Sequence, residues 1–455
     1  GLPVEPSNRG WSAAEARAVA EAAGARPEIA FRGAAPNPET PAILLVAHNL
    51  HAPERPEKRR ALEELRAALN AQGRELVILH HGKGASGCAL PEIAWDDPTL
   101  VASAARLGAD DALSGADRAY CERLLYGFHA AINRRPDPIE RVRETVREQE
   151  RRLRAVFLAL GPEAALLWHQ WNSLMTLARR AAETAGAPSA YVHEGMLPGT
   201  MTIDPAGMMA EAGCVGLVAP DAETPGRAAA RRAIAAIAEQ GLDRKPQTAA
   251  PAAEALIARL RAEGRRVVFY AGSNDWQSGV LPRDHPRAAL HAPHFHDSIE
   301  ALRALTSAAE RQGAAVVFKP HPNLFPEPSG LVSDALFELR EGRTIDYVRA
   351  ADATATLVSS VAYIALACGK PTLLMGRNTL SGAGAAREIA SRGDLDAALA
   401  DALADRDGAA RRARFERHVA ALLAEHLFPY GGKTDFALLG YDDAARRILA
   451  LTKTR

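Results

Sequence analysis

Two acidic side chains stand where their surroundings favour chemistry. Asp275 lies in Gly272-Ser273-Asn274-Asp275-Trp276-Gln277-Ser278-Gly279, a polar turn directly after the apolar run Val267-Val268-Phe269-Tyr270-Ala271. A change from β-branched and aromatic residues to a polar turn marks the carboxyl end of a strand, where open α/β sheets bind ligands. The flanking glycines invite comparison with a phosphate loop, but their spacing fits neither the Walker A pattern nor the dinucleotide fingerprint, and no Gly-Lys-Ser follows. A carboxylate among Asn274, Gln277 and Ser278 suits a nucleophile or a sugar-binding acceptor, with an Asx-turn residue as the plainer alternative. The second acid is Glu194 in His193-Glu194-Gly195, at the end of another short strand and before Pro198. Glu is rarely buried unpaired, so it reads as a general base or acid facing a cleft, against the alternative of a surface ion pair. Asp204 is the weaker candidate for that role.

Two further stretches have the chemistry of phosphate binding. Lys319-Pro320-His321-Pro322 is a rigid turn leaving a strand, because the prolines fix the backbone and remove donors. A His and a Lys held there can pair with a phosphate; an incidental strand-ending His is the alternative. Ser359-Ser360 opens a helix that Gly369 stops, offering hydroxyls and unpaired N–H groups at the positive end of the helix. Plain capping is the commoner fate of such serines, but a helix start two strands from the His turn is well placed to close the same site. The histidines at 285, 291, 294 and 296 are unevenly spaced in a Pro-containing loop without an HExxH motif, so no metal site is expected. Trp168 and Trp171 are expected to pack in the first half, although a strand-end tryptophan can also stack on a sugar.

These residues need sheets to position them. With 455 residues the chain exceeds one ordinary core, and two domains are expected. In the first half, strands at 42–47, 76–80, 164–168 and 189–192 alternate with helices, which is the βαβ grammar of a parallel sheet. Their ends carry His48, His80, His169 and Glu194. An Ala-rich helix at 11–24 is capped by Ser12, and the charged helix at 138–160 reads as a solvated one laced with i,i+4 pairs. The second half repeats the pattern with strands at 267–271, 315–319, 354–357 and 371–375, followed by terminal helices. The expected division is an N-terminal Rossmann-like acceptor domain over 1–250, a C-terminal Rossmann-like donor domain over 251–430, and a last helix at 431–455 packing back on the first. Two such α/β halves with parallel sheets facing across a cleft make the architecture called GT-B.

Composition removes several function classes. Lys and Arg together equal Asp and Glu at 55 each, and there is no basic stripe of the kind that binds nucleic acid. The four cysteines are scattered without a CxxC pair, arguing against structural zinc and disulfide scaffolds and suiting a reducing compartment. No apolar run approaches the roughly 20 residues of a membrane span. A cytoplasmic protein is expected, with loose association at the inner face of the membrane as an option.

The segments FYAGSNDWQSG, YVHEGMLPGT, VVFKPHP and ATLVSSVAYIALACGKPTLLMG together resemble the capsule polysaccharide biosynthesis family, which includes the bacterial retaining β-Kdo glycosyltransferases. The likeness spans about residues 190–376. It implies a CMP-β-Kdo donor, a glycan acceptor that is lipid-linked in the cell, and retention of configuration through a covalent carboxylate adduct in capsule or lipopolysaccharide assembly. It assigns Asp275 as nucleophile and Glu194 as the acid across the cleft, a base for the acceptor hydroxyl. It assigns Lys319, His321, Ser359 and Ser360 to the CMP, and Gly272, Ser273, Asn274 and Gln277 to the donor side of the Asp275 turn. No cofactor or metal is implied, since a CMP-sugar carries a single phosphate. The alternatives are a transferase for another CMP-nonulosonate, a sugar-nucleotide-binding protein without catalysis, and a UDP-sugar epimerase.

Overall fold

The computed structural model describes residues 27–33, 35–48, 56–82, 85–107, 115–133, 135–242, 248–325, 330–432, 434 and 436–453. The expected helix at 11–24 with its Ser12 cap lies outside the described residues, as do Asn49 to His51, Lys83, Gly84 and Lys433.

Among the described residues the first sheet has seven strands: β1 (Ala42–His48), β2 (Glu75–His81), β3 (Glu92–Ala94), β4 (Ala164–Trp168), β5 (Ser189–Glu194), β6 (Thr200–Asp204) and, from much later in the chain, β13 (Leu427–Pro429). Their spatial order is β13-β6-β5-β4-β1-β2-β3. The strands β1 to β5 pair in parallel, and β6 and β13 close the edge antiparallel. Strands such as Ala-Ile-Leu-Leu-Val-Ala are apolar on both faces because helices cover both, the condition under which parallel sheets form.

The second sheet contains β7 (Val267–Ala271), β8 (Ala315–Lys319), β9 (Leu336–Glu338), β10 (Ala353–Thr356), β11 (Thr372–Leu374) and β12 (Arg387–Glu388), in the order β12-β11-β10-β7-β8-β9. Every pairing in it is parallel. Both parallel cores therefore follow the 3-2-1-4-5 order of a Rossmann half, and the chain has the two-domain α/β architecture expected from its sequence. The order reverses between β1 and β4 in the first body and between β7 and β10 in the second. At such a switch point neighbouring connections leave on opposite faces and open a crevice at the strand ends.

The division of the chain differs from the expected one at both ends. The helix Pro225–Gln240, assigned above to the first domain, packs on the helices Val361–Ala367 and Gly408–Glu425. Its Ala229, Ala230, Ala233 and Ile237 join the core of the second body, so that body begins well before residue 250. The chain also returns earlier than residue 431: β13 hydrogen-bonds to β6, and the helix Tyr441–Thr452 then lies on the helix Pro56–Asn70. The charged helix Ile139–Leu160 carries the expected Glu148–Arg152 pair, but it also buries Val142, Val146, Leu153, Val156 and Phe157 against the first sheet's core. Among the described residues, no helix is long and apolar enough to cross a membrane.

Candidate functional site

A cavity of about 410 Å³ lies where the two bodies meet. The first body contributes Glu194 and the turn from Gly195 to Thr200; the second contributes Val358, Ser360, Tyr363, Asn378 and Thr379. Glu194 ends β5 opposite Met201 of β6, so a tight hairpin presents it. Gly195 is required there: its N–H donates to the Thr200 carbonyl at 2.7 Å, and a Cβ would meet Thr200 Oγ1 at 2.2 Å. The Tyr430 hydroxyl donates to Glu194 Oε1 at 3.2 Å. The Tyr430 ring lies 6.3 Å from that of Trp168, and the buried Lys58 ammonium sits 4.0 Å above the same Trp168 ring. Trp168 therefore packs inside the first body.

On the opposite wall, the ends of β7 and β10 are tied at the switch point. Thr356 Oγ1 donates to the Ala271 carbonyl at 3.0 Å and accepts from Ser359 N at 3.2 Å. Ser359 Oγ caps Val361 N at 3.3 Å, whereas Ser360 is exposed and faces the cavity. The buried Tyr363 hydroxyl lies 2.8 Å from Thr379 Oγ1 and 2.9 Å from His418 Nε2. Burial pushes His418 down to about 4, so its ring is neutral; with Nδ1 donating to the Leu217 carbonyl at 2.7 Å, Nε2 accepts from Tyr363. This chain of bonds anchors the second wall to the segment entering from the first body.

The Asp275 turn lies beside the end of β8. Gly272 N donates to the Lys319 carbonyl at 3.0 Å, and a Cβ on Gly272 would stand 2.9 Å from His321 N. Only glycine allows this approach, which sets His321 next to the turn. His321 Nδ1 accepts from Asn323 N at 3.0 Å, a bond that leaves Nε2 as the ring's donor. Asn274 Nδ2 donates to Gln277 Oε1 at 2.6 Å, and Ser273 is buried. Asp275 is 4% exposed and is directed at the start of the helix Ser298–Arg311. Its Oδ2 accepts from Ser298 N at 2.9 Å and Ser298 Oγ at 2.8 Å, while Oδ1 has no hydrogen-bond partner among the described residues. Burial pushes its carboxyl up to about 7, against the two Ser298 bonds that favour the ion.

The structure thus brings Glu194 and Ser360 to one cavity and His321 to the Asp275 turn, but it does not place Asp275 on the cavity wall. Lys319 is turned away from both: its buried ammonium donates to the Gly342 carbonyl and lies 5.5 Å from the centre of the Tyr347 ring. Asp204 is occupied structurally, accepting from Ala206 N at 2.8 Å and Gly213 N at 2.6 Å, with His426 Nε2 at 3.6 Å. In the His-rich segment, His285 stacks on Tyr120 at 3.8 Å, and His291 Nε2 lies 3.2 Å from Glu211. His291 also meets the edge of Trp171, whose ring is fully buried between the bodies. Among the described residues no group of three or more His, Cys, Asp or Glu is placed to hold a metal ion. Tyr430, Lys58 and Tyr363 were not foreseen from sequence.

No protein-family model and no curated protein matches the chain. Among solved structures it is similar to the KpsC β-Kdo 2,7 transferase of Thermosulfurimonas dismutans, at 16% identity over 66% of this chain and 89% of that one, with a TM-score of 0.38. The KpsC β-Kdo 2,4 transferase of the same organism is 19% identical over 57% and 79%, with a TM-score of 0.40. The α,α-trehalose 6-phosphate synthase of Burkholderia multivorans is 13% identical over 91% and 98%, with a TM-score of 0.41. Likenesses this remote leave function to the residues themselves.

Proposed function

We propose that this chain is a retaining glycosyltransferase that moves Kdo from CMP-β-Kdo to a glycan acceptor. The observation that carries the reading is the shared cavity: a carboxylate from one body, Glu194, and a helix-opening serine from the other, Ser360, face the same cleft. Its volume of about 410 Å³ suits a sugar-sized ligand.

In this reading the CMP phosphate lies by His321 and the Ser359–Ser360 helix start, whose donors stabilise the charge on the departing phosphate. Asp275 Oδ1 forms a bond to the anomeric carbon as the bond to the phosphate oxygen breaks, giving a Kdo–carboxylate adduct and CMP. The acceptor hydroxyl, losing its proton to Glu194, then displaces Asp275. Ser298 fixes the Asp275 carboxyl through Oδ2 and leaves Oδ1 for the attack. The carboxyl is buried and the helix Gly115–Asn133 of the first body packs on the Asp275–Gln277 turn, so the turn must open for the sugar to reach Oδ1.

Mass spectrometry after mixing with CMP-Kdo alone tests the step directly. A Kdo-sized increment on the peptide containing Asp275, absent in Asp275→Asn, is expected. CMP-sialic acid in a parallel sample tests the donor. Release of CMP from neither donor, with any acceptor, overturns the transferase reading.

A further inference from the structure

Four neighbouring strands of the first sheet carry a histidine at the same level. His48 of β1 is the register partner of His81, the last residue of β2. Val46 pairs with Leu167, which sets His48 level with His169, just past the end of β4. Trp168 pairs with Val192, which sets His169 level with His193 of β5. Two residues before His48, His81 and His193 stand Val46, Leu79 and Tyr191, all in one core cluster, so these three positions share a face of the sheet. Adjacent strands lie about 4.8 Å apart, so the four backbone positions follow one another at that spacing. The His169 and His193 rings are 5.4 Å apart, and Trp95 continues the row with its ring 5.0 Å from His81. The row crosses the β1–β4 switch point, and His193 at its end borders the cavity of Glu194.

The backbone of His169 is held in the left-handed region, φ 79°, which costs a non-glycine residue roughly 1 kcal/mol and is concentrated at functional sites. That bend lets His169 Nδ1 accept from Trp171 N at 3.2 Å, so a neutral ring has its N–H on Nε2.

We infer that this row, His193, His169, His48 and His81, binds an anionic group of the acceptor, a phosphate or a carboxylate. The groups acting on His48 are Lys58, His169, His81 and His80; those acting on His81 are His80, Arg152 and His129. All are cations or histidines. The acids nearby have partners: Asp137 with His129 at 2.6 Å, Glu148 with Arg152, Glu92 with Ser86 N at 2.8 Å, with Arg32 and with His80 Nδ1 at 3.5 Å, and Glu194, beside His193, with the Tyr430 hydroxyl at 3.2 Å. Such a field opposes a metal cation and favours an anion. Burial holds His48 at about 3 and His81 at about 4, so these two rings are neutral at pH 7 and offer imidazole N–H groups as donors. An arriving anion raises these values and draws protons onto the row.

Assigning the anion to an acceptor rests on the transferase reading; the anion site itself does not. The full chain with 13C-labelled histidine is titrated with inorganic phosphate, glucuronate and glucose, with and without CMP, while the imidazole C–H signals are followed by NMR. Phosphate or glucuronate should shift the four row signals and raise their pKa values, and glucose should not. A response to phosphate alone identifies a phosphorylated acceptor, and a response to glucuronate an acidic sugar. His48→Gln/His81→Gln should weaken the effect at least tenfold; if that variant does not fold, His193→Gln serves. Row signals that ignore both anions, respond equally to glucose, or respond unchanged in the folded variants overturn the proposal. A row that responds while CMP perturbs no signal keeps the anion site and removes the transferase reading.

Discussion

Asp275 meets opposing demands: a nucleophile must be ionised, yet its site favours the neutral acid. Its folded pKa is raised to about 7, so the stability contributed by the protonated carboxyl is present below about pH 4 and is lost as pH rises through 7. Asp275→Asn should therefore gain stability relative to the parent between pH 5 and 8, by up to about 1.4 kcal/mol per pH unit across the interval below 7. Urea unfolding at several pH values checks this, and parallel curves would remove the buried acid. In the transferase reading, turnover rises with pH up to about 7 as Asp275 ionises. Tyr430→Phe removes the hydrogen bond to Glu194 and should lower transfer about tenfold, an effect readable in kcat with donor affinity unchanged. The candidate acids were legible because a polar turn after an apolar run marks a strand end. Tyr430 was not, since it reaches Glu194 from 236 residues away. The direction of Lys319 was not either, because its partners come from the later segment at Gly342 to Tyr347.

The elements were legible where patterning is strong. Runs such as Val267–Ala271 and the Asp297-capped helix Ser298–Arg311 announce themselves, the cap accepting from Ile299 N at 2.9 Å and Glu300 N at 2.7 Å. β6 and β13 did not, because short strands at the end of a sheet take their identity from their partners, β6 from β5 and β13, and β13 from β6. The contact between the Gly115–Asn133 helix and the Asp275 turn was equally hidden. A Cβ on Gly127 would lie 2.1 Å from the Trp276 ring, so the glycine admits the indole between the bodies. Gly127→Ala should displace that ring, shift Trp276 emission to longer wavelength and lower stability by about 1–3 kcal/mol. Unchanged fluorescence would show that this contact does not hold the bodies together.

Across the whole molecule, burial depresses His48 to about 3 and His81 and His418 to about 4. The unfolded chain takes up their protons below about pH 6.5 while the folded chain does not, so stability present above that pH is lost as pH falls towards 4. Each of these histidines contributes at most about 1.4 kcal/mol per pH unit, less for the half-buried His48 and His81, with Asp275 acting in the opposite sense. A melting temperature that falls between pH 7 and 5, less steeply in His418→Gln if that variant folds, is the expected result. The parallel halves were visible as repeated strand–helix grammar, but the place where the chain changes bodies was not, because alanine-rich helices suit either core. That route has a practical corollary. The first sheet is finished by β13, and the helix Tyr441–Thr452 then covers the helix Pro56–Asn70, so the first body is assembled from both ends of the polypeptide. Cutting near residue 220 would yield a fragment with an unprotected sheet edge and a bare helix flank, prone to aggregate. To obtain that half alone, one would join residues 427–453 to it by a linker, whereas the other half could be excised as one continuous piece.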